Sequence, residues 1–139
     1  MPTTKSPLRY PGGKTQMSNY IKHLLQINNI SGTYIEPFAG GFGVGLELLY
    51  SKYIEKVVIN DLDPSIYSVW NAILNETDEF INLIYSTPVN ILEWETQKRI
   101  HQKEKNNPTS IYNAFSSFFL NRTNVSGIIN GKLSNLLCK

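Results

Sequence analysis

The chain has 139 residues, of which 41% are hydrophobic and 17% are charged. This composition is that of a globular protein with one domain at most, and it excludes a disordered chain. The formal net charge of +2 is too small to indicate a nucleic-acid partner by itself.

The sequence predicts a cytoplasmic protein. Its single cysteine, Cys138, cannot form an internal disulfide, which favours a reducing compartment. No apolar run approaches the roughly 18 residues of a membrane span. The N-terminus lacks the apolar core of a signal peptide. We therefore expect no membrane partner, and we single out no residues as metal ligands.

The predicted elements alternate between helix and strand in the first part of the chain. In chain order, the pattern predicts a loop over 1–14, a helix over 15–27, a strand over 33–36, a glycine loop with a helix to about Tyr53, and a strand over 57–59. Asp63 and Pro64 are a good N-cap and first-turn pair for the helix that follows. The β-α-β-α order predicts an α/β fold with a parallel sheet and right-handed crossovers.

The rest of the chain is predicted to be helical. Residues 79–105 have a helical pattern that Pro88 interrupts, and residues 106–109 break the chain again. A last helix over about 109–121 is predicted to bury an apolar face made of Ile111, Ala114, Phe115, Phe118 and Phe119. After Arg122 the chain is polar and punctuated by glycines.

The segment from Glu36 to Gly45 is the most informative part of the sequence. A short strand leads into Glu36 and Pro37, then into glycines at 40, 41 and 43, and the helical pattern begins at Val44. Glycines at these positions allow positive φ and let a ligand approach the backbone. The helix N-terminus just beyond adds unpaired N–H groups. The pattern predicts a site for a small cofactor.

Asp61 follows the second strand, where an acidic side chain can accept both hydroxyls of a ribose. A nicotinamide cofactor and S-adenosylmethionine both fit that description. The loop lacks the third glycine of a dinucleotide fingerprint, and Glu36 would repel a pyrophosphate but could pair with an ammonium group. The alternative for Glu36 is a solvated strand end. A nicotinamide-dependent oxidoreductase is the least favoured interpretation.

The segment from Ser6 to Lys14 combines an aromatic residue, two basic residues and turn-forming residues before a helix. Tyr10 could cover an adenine or methionine group, and Lys14 could reach a carboxylate or a phosphate. The alternative is a flexible lead-in, the usual fate of termini rich in proline and glycine.

Basic residues are concentrated in the predicted helix before residue 106. Lys98, Arg99, His101, Lys103 and Lys105 fall within eight positions, with Glu104 the one acid among them. Such a run indicates either a solvated helix face or a face that follows a phosphate backbone.

Four segments of the chain form a recognisable series. They are Arg9-Tyr10-Pro11-Gly12-Gly13-Lys14, Glu36-Pro37-Phe38-Ala39-Gly40-Gly41-Phe42-Gly43, Asn60-Asp61, and Phe118-Phe119-Leu120-Asn121-Arg122-Thr123-Asn124-Val125-Ser126-Gly127-Ile128. In this order they resemble the Dam-like (D12 class) family of adenine-N6-specific DNA methyltransferases, and they span nearly the whole chain. The last of them resembles part of the target-recognition region of that family.

The resemblance implies a Rossmann-like S-adenosylmethionine-dependent methyltransferase fold, of which this chain would supply the N-terminal half. It implies a cofactor-binding part over 1–75 and an incomplete helical target-recognition region over 76–139. The reaction implied is methyl transfer from S-adenosylmethionine to adenine in duplex DNA.

The resemblance also implies roles for particular residues. Those implied to bind the cofactor are Tyr10, Pro11, Lys14, Glu36, Pro37, Phe38, Gly40, Gly43, Asp61 and Leu62. Those implied to bind DNA are Arg9, Lys14, Asn121, Arg122 and Asn124. For the last three, the alternative is a capped helix end with Arg122 paired locally.

The catalytic Asp-Pro-Pro-Tyr motif of the family, which holds the amine of a flipped adenine, is absent from these 139 residues. The one Asp-Pro pair, Asp63-Pro64, lies too early in the chain. The segment from Asn130 to Asn135 still resembles the family, and Leu136 to Lys139 departs from it. We therefore expect a truncated member that has no catalytic residues and is inactive alone.

A truncated fold of this kind would leave its first strand as an exposed sheet edge. We expect such a chain to be weakly stable, to associate with itself or to need a complementing chain. A non-catalytic protein that binds S-adenosylmethionine, DNA or a protein partner is the main alternative to an enzyme.

Overall fold

The computed structural model describes residues 5–10 and 14–134. Its elements are a 3-10 turn at Lys14–Met17, α1 (Ser18–Ile27), β1 (Thr33–Glu36), α2 (Gly43–Tyr50), β2 (Lys56–Ile59), α3 (Pro64–Asn75), α4 (Thr77–Ser86), α5 (Ile91–Glu104), α6 (Ile111–Thr123) and a 3-10 turn at Val125–Gly127. This mixed helix and strand architecture confirms the predicted β-α-β-α order and the helical second part.

The chain divides into two compact units, and the boundary lies between Asn60 and Asp61. The first unit carries both strands, and the second carries α3 to α6. The division into a cofactor-binding part and a target-recognition part near residue 75 concerns function, and it stays a prediction.

The sheet of the first unit has two parallel strands, as the sequence predicts. Thr33 of β1 lies opposite Lys56 of β2, and Glu36 lies opposite Ile59. In the part of the chain that the structure describes, β1 pairs with β2 alone and its other edge carries no strand.

Alternate side chains of these strands point to opposite faces of the sheet. On one face, Tyr34 and Val57 pack against a core formed by Val44, Leu48 and Ile54. Further half-buried members of this core are Ile21, Leu25, Leu49 and Tyr53. On the other face, Ile35 is 65% exposed and Val58 is 42% exposed. The described residues of the first unit therefore cover only one side of the sheet with apolar packing.

The second helix ends at Tyr50, before the predicted end near Tyr53. Lys52 adopts a left-handed backbone with φ of 58°. The Lys52 N–H donates to the Leu49 carbonyl, and the Tyr53 N–H donates to the Leu48 carbonyl, each over 3.0 Å. These two bonds form a Schellman cap, which turns the chain out of the helix although the apolar pattern continues.

Positive φ in the glycine loop occurs at Gly40 and Phe42, both at 50°. Of the three glycines that allow positive φ, Gly40 uses it, whereas Gly41 does not and Gly43 has helical backbone as the first residue of α2. A Cβ on Gly45 would collide with the ring of Phe42. The missing side chain of Gly45 therefore lets a left-handed, buried Phe42 pack against α2.

The second unit is organised around α6, which buries Ala114, Phe115, Phe119 and Leu120. The buried apolar residues of α3 are Ile66, Val69, Trp70 and Ala72. Phe80 of α4 meets Phe118 edge-on, with ring centroids 5.5 Å apart. Two residues of the apolar face predicted for α6, Ile111 and Phe118, are only half-buried, and Ile111 lies at the helix end.

Side-chain caps fix three of the helix starts in this unit. Asp63 accepts from the Ser65 N–H over 2.8 Å, as predicted for the Asp63-Pro64 pair, and Asn90 caps α5 in the same way. The hydroxyl of Ser110 accepts from the N–H of Asn113 over 3.3 Å. This last cap sets the start of α6 at Ile111 rather than at the predicted residue 109.

Candidate functional site

The loop between β1 and α2 is held to the end of β2 by one residue, Asn60. Its backbone N–H donates to the Glu36 carbonyl over 3.1 Å, and its carbonyl accepts from the Ala39 N–H over 3.0 Å. Its side-chain amide donates to the Pro37 carbonyl over 3.2 Å. Phe42 closes the turn by donating to the Ala39 carbonyl over 2.7 Å.

Glu36 is a buried carboxylate at the end of β1. Its side chain is 7% exposed, and its Oε1 pairs with the Nζ of Lys14 at 2.6 Å. The Lys14 ammonium also donates to the Phe38 carbonyl over 3.2 Å. Among the described residues, no donor bonds to the buried Oε2 of Glu36. The alternative of a solvated strand end is therefore wrong, and the carboxylate retains an acceptor for a further N–H.

Tyr34 lies on the same face of β1 as Glu36. Burial raises the pKa of the Tyr34 hydroxyl, and the negative charge of Glu36 and a hydrogen-bonding interaction between the two side chains raise it further. Its ring lies 6.4 Å from that of Phe42, measured between centroids. The sequence interpretation missed Tyr34, although its position two residues before Glu36 on a strand already puts both side chains on one face.

Tyr10 lies against the glycine loop. A Cβ on Gly40 would be 3.0 Å from Cε1 of the Tyr10 ring, and a Cβ on Gly41 would be 3.1 Å from the Tyr10 Cβ. The sequence predicted that these glycines make room for a ligand. In the structure they make room for Tyr10, whose side chain remains half exposed.

The remaining residues implied to bind the cofactor in this unit differ in placement. Pro37 and Phe38 are exposed at the start of the loop, and Gly43 begins α2. Pro11 lies outside the described residues.

Asp61 and Leu62 belong to the second unit and form the turn before α3. The Oδ1 of Asp61 accepts from the Asp63 N–H over 3.0 Å. Leu62 is 82% exposed. The turn thus has a defined shape, with a carboxylate and an exposed apolar side chain next to each other in sequence.

Asn121 and Asn124, implied to contact DNA, are both buried in the second unit. Asn121 donates to the Gly127 carbonyl over 2.7 Å, and Asn124 donates to the Ile128 and Ile129 carbonyls over 2.9 and 2.8 Å. Their amides hold the segment after α6 in shape. Of the three residues predicted for this region, the side chain of Arg122 is the exposed one.

Comparison with known proteins gives the context for these residues. A family profile described as D12 class N6 adenine-specific DNA methyltransferase matches residues 10–134. The chain belongs to this family.

Two curated relatives show how much of a longer protein the chain covers. It is 29% identical over 133 residues to the type II methyltransferase M.MjaIII of Methanocaldococcus jannaschii. The matched region covers 87% of this chain and 46% of the relative. It is 31% identical over 126 residues to the modification methylase StsI of Streptococcus sanguinis. Here the matched region covers 84% of this chain and 18% of the relative. The chain therefore spans less than half the length of each.

The basic run of this D12 class chain does not form a single face. Lys98, Arg99, Lys103 and Lys105 are exposed, whereas His101 is buried against α6 with its Nδ1 3.2 Å from the Ser117 hydroxyl. Burial is the main cause that lowers the pKa of His101, and Lys105 lowers it further, while Asp63 and Asn113 act in the opposite direction. His101 is thus a core residue, and the lysines and the arginine remain available to solvent.

The described residues of the D12 class chain hold no cluster of three or more acidic, histidine or cysteine side chains that could bind a metal ion. They also include no helix that is both long enough and apolar enough to cross a bilayer.

Proposed function

We propose that this chain supplies the cofactor-binding part and a portion of the target-recognition region of an adenine-N6 DNA methyltransferase with a Rossmann-like fold. The methyl group is transferred from S-adenosylmethionine to adenine in duplex DNA. What supports this proposal is the family membership together with the chemistry available at the end of β1.

The observation that carries the proposal is the buried Oε2 of Glu36, which accepts no hydrogen bond from the residues that the structure describes. A buried carboxylate oxygen without a donor is unfavourable, and an ammonium group would satisfy it with a charge-assisted hydrogen bond. S-adenosylmethionine carries such a group on its methionine part. The pairing of Lys14 with the other oxygen leaves Oε2 available in this geometry.

The cofactor would supply an electrophilic methyl group on its sulfonium. The residues of this chain would bind and orient it. Glu36 would accept from the ammonium, Tyr10 would cover the adenine or methionine group, and Asp61 would accept from the ribose hydroxyls. Pro37, Phe38, Gly40 and Gly43 stay predictions as residues around the methionine part of the cofactor. Leu62 stays a prediction as a residue beside the adenine ring, and Pro11 and Lys14 stay predictions as N-terminal cofactor contacts.

On the DNA side, the proposal rests on exposed positive charge. Arg122 and the exposed lysines of α5 suit phosphate oxygens, because such contacts are sequence-independent and tolerate flexible side chains. Asn121 and Asn124 would act by shaping the segment that meets DNA. A role for Arg9 or Lys14 at the DNA backbone stays a prediction.

These 139 residues contain no Asp-Pro-Pro-Tyr, so we propose that they do not methylate DNA by themselves. A complementing chain, or a second copy, would pair with the edge of β1 and cover the exposed Ile35 and Val58. Parallel sheets are normally covered on both faces, and this favours such a partner.

A non-catalytic binding protein is the second candidate. The absence of the tetrapeptide favours it, because Glu36, Asp61 and Arg122 could still bind cofactor and DNA. In that case the purified chain binds S-adenosylmethionine or duplex DNA, and no added chain restores methyl transfer.

Calorimetric titration of the purified chain with S-adenosylmethionine tests the proposal. We expect Glu36→Gln to weaken binding by about tenfold or more, because a charged hydrogen-bond acceptor is lost. Glu55→Gln, the same change at an exposed glutamate, is the matched control and should bind normally.

Two results would contradict the proposal. One is a wild-type chain that is folded and does not bind the cofactor. The other is transfer of labelled methyl groups to duplex DNA by the chain alone, which would show that Asp-Pro-Pro-Tyr is dispensable.

A further inference from the structure

A buried polar chain in the second unit connects α5 and α6 to the first turn of α3. The hydroxyl of Ser117 lies 3.2 Å from the Nδ1 of His101 and donates to the Oδ1 of Asn113 over 3.1 Å. The amide nitrogen of Asn113 donates to the Pro64 carbonyl over 3.3 Å and to the Asn107 carbonyl over 2.9 Å.

These side chains are as buried as the apolar core around them. Asn113 and Ser117 are 0% exposed, and His101 is 2% exposed. Both polar atoms of the Asn113 amide have partners, as buried amides require. An apolar residue of the same shape would fill this space without the cost of desolvating an amide. The amide therefore contributes something that packing alone does not, namely a fixed position for two backbone carbonyls.

One of those carbonyls belongs to Pro64, the first residue of α3. The turn that precedes it is shaped by Asp61, which accepts from the Asp63 N–H over 3.0 Å, and by Asp63, which accepts from the Ser65 N–H over 2.8 Å. Asn113 thus anchors the helix end from which the Asp61 turn extends.

We propose that Asn113 is a positioning residue for the cofactor, and that it holds the Asp61 carboxylate where it can accept the ribose hydroxyls. This inference rests on the proposed function, because it takes Asp61 as the ribose-binding residue. Hydrogen bonds weaken steeply when their angles deteriorate. A small tilt of the first turn of α3 therefore reduces recognition of the ribose hydroxyls, with little effect on the rest of the cofactor.

The test compares binding of S-adenosylmethionine with binding of its 2′-deoxy analogue, measured by calorimetry on the full chain. The wild type should prefer the ribose form by about tenfold, as one charged hydrogen bond implies. Asn113→Leu keeps the size of the side chain and removes both donors, and it should lose most of this preference. Asn75→Leu, the same change at an exposed site on α3, should retain it.

A second measurement covers the case in which Asn113→Leu does not fold. Ser117→Ala removes the hydroxyl that orients the Asn113 amide, and it should speed hydrogen exchange of the Asp63 and Ser65 amides by about tenfold. The amides at the start of α5 should be unaffected, since a general loss of stability would speed both sets together.

The possible results separate the inference from the proposed function. If folded Asn113→Leu keeps the ribose preference, or if Ser117→Ala leaves both amides protected, Asn113 does not position the turn. If the wild type binds both ligands equally while Glu36→Gln still weakens binding, the role of Asp61 fails and this inference fails with it. A folded wild type that binds neither ligand overturns the proposed function itself.

Discussion

The indole N–H of Trp94 donates to the Oδ1 of Asn124 over 2.7 Å, a contact between residues 30 positions apart in sequence. The amide nitrogen of the same Asn124 donates to the carbonyls of Ile128 and Ile129. One buried side chain thus connects α5 to the segment that follows α6. The shape of this segment, which begins two residues after the exposed Arg122, depends on a tryptophan of another helix.

Trp94→Phe should destabilise the second unit. It removes the indole donor and leaves the Asn124 oxygen buried without a partner, which costs about 1–3 kcal/mol. Urea unfolding followed by circular dichroism measures this change. Tyr112→Phe, which removes a polar group from an exposed aromatic residue of α6, is the control. An unchanged unfolding midpoint in Trp94→Phe would show that the contact does not contribute to stability.

The ion pair of Lys14 and Glu36 should appear as a coupling between two substitutions. Lys14→Met leaves the buried carboxylate without its cation and should cost about 1 kcal/mol, since the ammonium is half exposed. In the Glu36→Gln background the same substitution should cost much less. Thermal unfolding of the two single variants, the double variant and the wild type measures the coupling. Additive effects would exclude the pair, and Lys52→Met, at an exposed lysine, controls for loss of charge alone.

The second unit should lose stability as the pH falls below about 6.5, the ordinary pKa of histidine. The folded-state pKa of His101 is lowered, mainly by burial. The unfolded chain therefore binds a proton at a higher pH than the folded chain, and stability rises with pH across this window. His101→Gln should flatten the dependence, whereas His23→Gln, at an exposed histidine, should leave it unchanged. Urea midpoints between about pH 7.5 and about pH 5.5 measure it. An equally steep dependence in His101→Gln would assign it to another group.

The first unit should lose stability at lower pH for a different reason. Hydrogen bonds from Lys22, then Lys5, then Ser51 lower the pKa of Glu47 from 4.5 to about 2. A carboxylate with a lowered folded-state pKa stabilises the fold above its unfolded value, and the contribution is lost as the pH falls toward the folded value. We expect this loss below pH 4.5. Glu47→Gln should reduce this loss of stability and Glu55→Gln should not. Acid titration followed by far-UV circular dichroism measures the loss. Identical acid midpoints for Glu47→Gln and the wild type would contradict this assignment.

Much of the fold could be predicted from local signals. The cap at Asp63-Pro64, the break at Pro88 and the β-branched run at Val57 to Ile59 each depend on residues within one turn of the element that they define. The Schellman cap at Lys52 was missed because Lys has no strong preference for left-handed backbone, so its conformation depends on the surrounding packing.

The candidate site could be predicted less completely. Glu36 and Lys14 have opposite charges, but they are 22 positions apart, and only the fold shows that they lie next to each other. Asn121 and Asn124 fit two roles equally well from sequence, since an amide can bind DNA or a backbone carbonyl. Which role is used depends on Gly127, Ile128 and Trp94, and no local pattern records that choice.

The three hydrogen bonds of Asn60 have a kinetic consequence. Because Asn60 directly follows β2, the pairing of β2 with β1 brings Asn60 next to the glycine loop, where it makes these bonds. A ligand bound at this loop, as proposed above, would meet a backbone that these bonds already hold, so little chain entropy would be lost there on association. Binding at this loop should therefore proceed in a single step, at a rate set by diffusion and orientation rather than by a slow closure.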